Sequence, residues 1–119
     1  MDKIDKQLLL KDLCGRLPYG VRVKQLEPIK ELELYLTSIY KDTVQVETVT
    51  GGIMACSIEA IKPYLRSMSS MTEEEENIVY NGHVQFWERE DYCNKHHLDY
   101  RGLIEKGLAL EAPDDMYKQ

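Results

Sequence analysis

The densest group of chemically capable side chains is Cys93-Asn94-Lys95-His96-His97-Leu98-Asp99, a thiol, two imidazoles and a carboxylate within one short stretch. Zinc takes thiolate and imidazole ligands, and a four-residue offset would set Cys93 and His97 on one face of a helix. In that geometry His96 and Asp99 point elsewhere. The remaining histidine, His83, is not spaced to complete a ligand set. Each residue also has a structural use: Cys93 as a small core hydrophobe, Asp99 as a helix cap, and the histidines near a helix C-terminus that favours positive charge. The structural uses weigh more. The expectation is no metal and no cofactor, with Cys93 and His97 as the pair to examine.

Cys14 would need an adjacent base to act as a nucleophile, and no spacing brings His83, His96 or His97 to it. A buried helix cysteine is expected there. Glu73, Glu74, Glu75 and Glu76 are consecutive, so on a helix they diverge and cannot converge on one cation; a capped, solvated helix start accounts for them. No P-loop, GxGxxG, HExxH or GxSxG pattern occurs. The most basic stretch holds Arg16, Arg22, Lys24 and Lys30, near Tyr19 and Tyr35. On a small barrel it could stack bases and contact phosphates. Against it stand 15 basic and 21 acidic residues, a net charge of −6, which opposes polyanion binding. Eight tyrosines and a tryptophan against one phenylalanine suit half-exposed positions and protein interfaces.

The elements that must position these groups are legible from periodicity. Residues 3–17 read as an amphipathic helix, with Asp2 as cap, Asp5 in the first turn, and Ile4, Leu8, Leu9, Leu13 and Leu17 on the apolar face. Asp12 and Arg16 fall on its polar side. Leu17-Pro18-Tyr19-Gly20 ends it. Residues 21–56 alternate in strands around 21–24, 32–40, 44–47 and 53–56. A bulge is expected near Thr37-Ser38, a tight turn at Lys41-Asp42, and a hairpin at Thr50-Gly51-Gly52. Four strands with short connections imply an antiparallel meander, either curled into a small SH3-like barrel or covered by a helix.

Residues 57–111 read as three helical segments after one turn that Ser57 caps and Pro63 ends. Thr72 and Glu75 have the capping-box spacing, and Ile78, Val79 and Tyr80 follow as anchors. Residues 83–97 form the next segment, with Val84, Phe86, Trp87, Tyr92 and Cys93 as contacts. Asp99 caps a last helix through Lys106, and Gly107 stops it. Residues 112–119 read as a frayed tail.

With 119 residues the chain suits one α+β domain over 1–119, large enough to bury a core unaided. No apolar run approaches the ~20 residues a membrane helix requires. The charged start, Met1-Asp2-Lys3-Ile4-Asp5-Lys6, lacks a signal peptide's apolar core. Three widely spaced cysteines with no CxxC pair suit a reducing cytoplasm.

Three stretches carry a resemblance: Lys11-Asp12-Leu13-Cys14-Gly15-Arg16-Leu17-Pro18-Tyr19-Gly20-Val21, then residues 61–74 from Ile61-Lys62-Pro63-Tyr64 to Met71-Thr72-Glu73-Glu74, then residues 97–109 from His97-Leu98-Asp99-Tyr100 to Gly107-Leu108-Ala109. In these the chain resembles a group of short bacterial proteins encoded by gut Bacteroides and their relatives, many in prophage or other mobile-element neighbourhoods. That group carries no assigned activity, so the resemblance transfers no catalytic or binding residue. Composition and pattern together rank a protein-interaction module first. Nucleic-acid binding through Arg16, Arg22, Lys24 and Lys30 comes second, and a small metal- or cysteine-dependent enzyme third.

Overall fold

The structure is a computed structural model that describes residues 1–26, 33–82 and 85–117. Helix α1 spans Lys3–Arg16, and the Asp2 carboxylate accepts the Asp5 N–H at its start. A 3-10 turn over Leu17–Tyr19 closes it, and Gly20 follows at φ 63°, a left-handed conformation that glycine adopts without steric cost. The chain then enters β1 (Arg22–Gln25), β2 (Leu34–Tyr40), β3 (Thr43–Thr48) and β4 (Ile53–Ser57). These four pair antiparallel in the expected meander, with the register shift between Leu36 and Ser38 and the Gly51 turn at φ 94° where the sequence placed them.

The sheet does not stop there, and it does not close. Its order is β4-β3-β2-β1-β5-β6, an open mixed sheet. Of the two expected forms, a small barrel or a sheet covered by a helix, the second is found: the inner face carries Val21, Val23, Leu34, Leu36, Val44 and Val46 in one core with Leu9 and Leu13 of α1.

Strand β5 (Ile61–Leu65) occupies a segment expected to be a helical turn and connector. Ser57 does cap a 3-10 turn, Ile58–Ala60, but Pro63 ends nothing. The Leu26 N–H donates to the Ala60 carbonyl, and β1 pairs with β5 in that register. Bonded pairs alternate, so Lys24 faces Lys62 as a bonded pair and Val23 faces Pro63 as a non-bonded one. The donor that proline lacks therefore points away from β1, where no bond is required. Ile61, Pro63 and Leu65 all turn into the core.

The C-terminal half departs furthest from expectation. The capping box forms in both directions between Thr72 and Glu75, opening α2 (Glu73–Glu76), which runs into a wide π turn over Asn77–Asn81. Of the expected anchors there, only Val79 is buried; Ile78 and Tyr80 are exposed. Helix α3 spans Phe86–Lys95. His83 and Val84 lie outside the described residues. No helix forms after Asp99. Its carboxylate does accept the Leu103 and Ile104 N–H groups, but Gly102 at φ 74° breaks the run into turns. Gly107, also at φ 74°, takes the expected left-handed conformation but closes a turn, since the helix it was to stop is absent.

The end of the chain is not frayed as far as Tyr117. Strand β6 (Leu110–Glu111) pairs parallel with β5, and the Ala112 N–H donates to the Leu65 carbonyl. The Tyr117 hydroxyl accepts the Arg22 N–H at 3.0 Å and donates to the Tyr64 carbonyl at 2.7 Å. It thus stands in the ladder position where β1 and β5 would next have bonded directly.

Candidate functional site

Two surfaces and one buried cluster account for the chemically capable residues. The cluster removes a candidate. Arg16 has no exposed surface: its Nε and Nη2 reach the two Asp12 oxygens at 2.8 and 3.1 Å, and Nη2 also donates to the Leu98 carbonyl at 2.6 Å. Arg101 donates to the same carboxylate at 2.9 Å, and Tyr100 lies under both guanidinium groups. Asp12 and Arg16, expected on the polar side of α1, instead neutralise each other inside the fold and tie α1 to the segment after α3. Arg16 is unavailable to a phosphate.

Of the rest of the basic group, Arg22 and Lys24 share the outer face of β1. Arg22 is held by Glu33 at 3.2 Å and lies over the Tyr35 ring. Lys24 pairs across the strands with Lys62 on the sheet's outer face. Lys30 lies outside the described residues.

The first surface is a cleft of about 620 Å³ between the end of β5, the start of α2, the end of α3 and the C-terminal segment. Arg66 and Glu75 make a two-pronged ion pair across it at 2.8 and 2.7 Å. The capping-box glutamate therefore also serves Arg66, whose guanidinium holds its carboxyl down at about 2. His96 leans on Tyr92. His97, only 8 % exposed, has left the helix at φ 60° and stacks on Tyr117 with ring centroids 3.9 Å apart. Burial first, and then the nearby Arg16 charge, lower its pKa to about 4. His97 is therefore a neutral imidazole at pH 7, and its buried Nδ1 has no hydrogen-bond partner. A neutral ring with one orphaned buried nitrogen places its proton on the other, where solvent can accept it. The cleft thus sets a neutral imidazole and the hydroxyls of Ser67, Ser70, Thr72 and Tyr117 beside charged Arg66, Glu75, Lys95, Glu111 and Asp114.

The second surface is the elbow between the π turn and α3. Phe86 and Trp87, expected as packing contacts, are 70 % and 66 % exposed, and Tyr80 is 60 % exposed. Tyr80 and Phe86 rim a cavity of about 510 Å³ whose walls include Met68, Val79, Cys93 and Tyr100. Arg89 stands at its edge with Nε buried and unpartnered.

The proposed zinc pair is separated by these surfaces. Cys93 is buried with Met71, Val79 and Leu98 and faces the elbow cavity; burial pushes its thiol pKa up, away from the thiolate a metal needs. His97 faces the cleft. Their four-residue offset fails because α3 ends at Lys95, before His97 can share a helical face with Cys93. Among the described residues, no three His, Cys, Asp or Glu side chains converge as metal ligands. Cys14, expected to be buried, is exposed on α1 and lines neither cavity.

The elbow was missed in the sequence because aromatic residues at helical spacing read as core. The one usable signal was the absence of an N-cap side chain ahead of Phe86, which leaves the start of α3 weakly specified. No described helix is long and apolar enough to cross a membrane. No protein-family model, curated protein or solved structure matches the chain.

Proposed function

We propose that this protein is a non-catalytic interaction module that grips an apolar segment of another protein at the α3 elbow. The observation that carries the reading is the pair of exposed aromatic side chains, Tyr80 and Phe86, on the rim of a largely apolar cavity, with exposed Trp87 next to Phe86 in the chain. Exposed large aromatics gathered beside a concavity are the usual anchors of protein recognition, since they bring area at low entropic cost. Charge narrows the partner. Exposed Glu73, Glu74 and Glu76 on α2 and Glu88 and Asp91 on α3 flank the elbow. The occupant that suits this surface is an amphipathic segment with an apolar ridge and basic flanks.

Nucleic-acid binding is less well supported, because Arg16 is buried in an ion pair and Arg22 is engaged by Glu33.

The test uses Trp87, the chain's single tryptophan, as its own reporter. Basic amphipathic helical peptides should shift its emission to shorter wavelength in a saturable, salt-weakened manner. Acidic peptides of the same apolar pattern should not. Partners captured from the native host should bind the unaltered protein and be lost by Phe86→Ala with Trp87→Ala. Equal capture by that double variant, with its fold intact by circular dichroism, would refute the reading.

A further inference from the structure

The two edges of the sheet are guarded unequally. The β6 edge is two residues long, carries Glu111 and is followed by Pro113. The β4 edge is a five-residue strand, Ile53-Met54-Ala55-Cys56-Ser57, with no charge and no proline, and among the described residues no strand pairs beyond it. Native sheets blunt exposed edges with charges, proline, bulges or short strands, because unpaired N–H and C=O groups recruit another strand. Nothing of that kind protects β4.

The direction of its unpaired groups follows from register. The Thr48 N–H donates to the Gly52 carbonyl, and the Ile58 N–H donates to the Asp42 carbonyl. Bonded pairs alternate along an antiparallel ladder, so Met54 and Cys56 bond inward to Val46 and Val44. The N–H and C=O of Ile53 and Ala55, and the N–H of Ser57, therefore point out from the open edge. Ile53 is 62 % exposed, and Ala55 and Ser57 are exposed as well.

We propose that β4 pairs antiparallel with β4 of a second copy of this chain, about a two-fold axis at Ala55, joining two six-stranded sheets into one. This register is the one that uses the free groups. Ala55 exchanges both main-chain bonds with its counterpart, and each Ser57 N–H meets the opposite Ile53 carbonyl. The side chains agree with it. Met54 and Cys56 lie on the core side of the sheet, pack against the core and are only half-buried. The two-fold axis sets Met54 of each copy opposite Cys56 of the other, so each covers the other's open flank. Ile53 faces Ser57 on the outer side, and Ala55, the smallest residue of the strand, sits on the axis. No β4 side chain meets a like charge, although each copy carries −6. This self-complementarity is what selects a second copy over an unrelated strand. One short strand pair covers less than the roughly 1,000 Å² of a stable interface, so the dimer is weak and concentration-dependent.

Sedimentation of the reduced full chain should show a monomer–dimer equilibrium between about 10 and 500 μM, the affinity range of small interfaces. Ala55→Lys sets two like charges face to face and should raise the dissociation constant at least about tenfold. Phe86→Ala with Trp87→Ala should leave it unchanged, which separates this interface from the elbow. Register is read independently by Met54→Cys with Cys14→Ser. Mild oxidation should link the introduced thiol to Cys56 of the second copy, since non-bonded antiparallel pairs hold their Cα atoms about 4.5 Å apart. A monomer throughout the concentration range overturns the proposal. So does a dimer indifferent to Ala55→Lys in correctly folded protein, or cross-linking in another register.

Discussion

Replacing His97 with asparagine should flatten the acid side of this protein's stability curve. The imidazole is buried against Tyr117 with Nδ1 unpartnered, and burial holds its pKa near 4, against 6.5 for an exposed histidine. As pH falls, the unfolded chain takes up the proton first and acid draws the equilibrium toward unfolding. The stabilising contribution is complete above pH 6.5 and is lost as pH falls through 4. At about 1.4 kcal/mol per pH unit that interval carries up to about 3 kcal/mol, of which about 2 kcal/mol is gone by pH 4.5. Asparagine suits the test because it tolerates the left-handed backbone at φ 60° and does not titrate. Urea unfolding at pH 7, 5.5 and 4.5 would be run on both proteins. The unaltered chain should lose about 2 kcal/mol more than the variant between pH 7 and 4.5. Glu75, held at about 2 by Arg66, releases its contribution only between pH 4.5 and 2, so it does not obscure the comparison. Parallel curves, or an NMR titration placing the His97 ring near 6.5, would refute the reasoning.

Three further perturbations address the frame. Asp12→Ala removes the shared carboxylate from beneath Arg16 and Arg101 and strands a fully buried guanidinium; urea unfolding should register a loss of about 3–5 kcal/mol, and Asp12→Leu with Arg16→Met together should lose less. Tyr117→Phe keeps the ring on His97 but leaves the Arg22 N–H and Tyr64 carbonyl without their shared partner; a loss of about 1–3 kcal/mol is expected, with faster amide exchange at Arg22. Gly15→Ala would normally gain about 1 kcal/mol in a helix interior, but its Cβ would stand 2.8 Å from Asn94 Nδ2. Asn94 is fixed by the Tyr100 hydroxyl at 3.0 Å, so thermal unfolding should show net destabilisation, relieved by adding Asn94→Gly.

What could be read in advance, and what could not, divides by sequence distance. The Asp2 cap, the Thr72–Glu75 box and the Gly51 hairpin are each decided within about four residues, where backbone sterics and one hydrogen bond are sufficient. Several of the errors required a distant partner, unlike the last helix, which Gly102 breaks locally. Arg16 is buried because the Leu98 carbonyl, 82 positions away, takes its Nη2 donor. Tyr117 is docked because Arg22, 95 positions away, has an N–H that β5 leaves unmet. β5 went unread because Pro63 signals a break locally. Only its pairing with Val23 shows that the missing donor lies on the side where none is needed.

The same distinction separates the candidate surfaces. A helix-spaced aromatic is core by local rule, and Trp87 and Phe86 violate the rule only because no other described element packs over the start of α3. Edge strand β4 is the converse case. Its local sequence is an ordinary alternating strand, and the liability appears only once the sheet order makes it terminal. In both places apolar groups are left open to solvent. β4 itself carries no carboxylate, whereas exposed Glu73, Glu74, Glu76, Glu88 and Asp91 lie on the two helices that meet at the elbow. The two surfaces therefore have different physics: the elbow's acidic surround makes its binding salt-sensitive, whereas β4 pairing rests on main-chain bonds and apolar contact. Raising ionic strength should loosen the first and leave the second nearly unmoved.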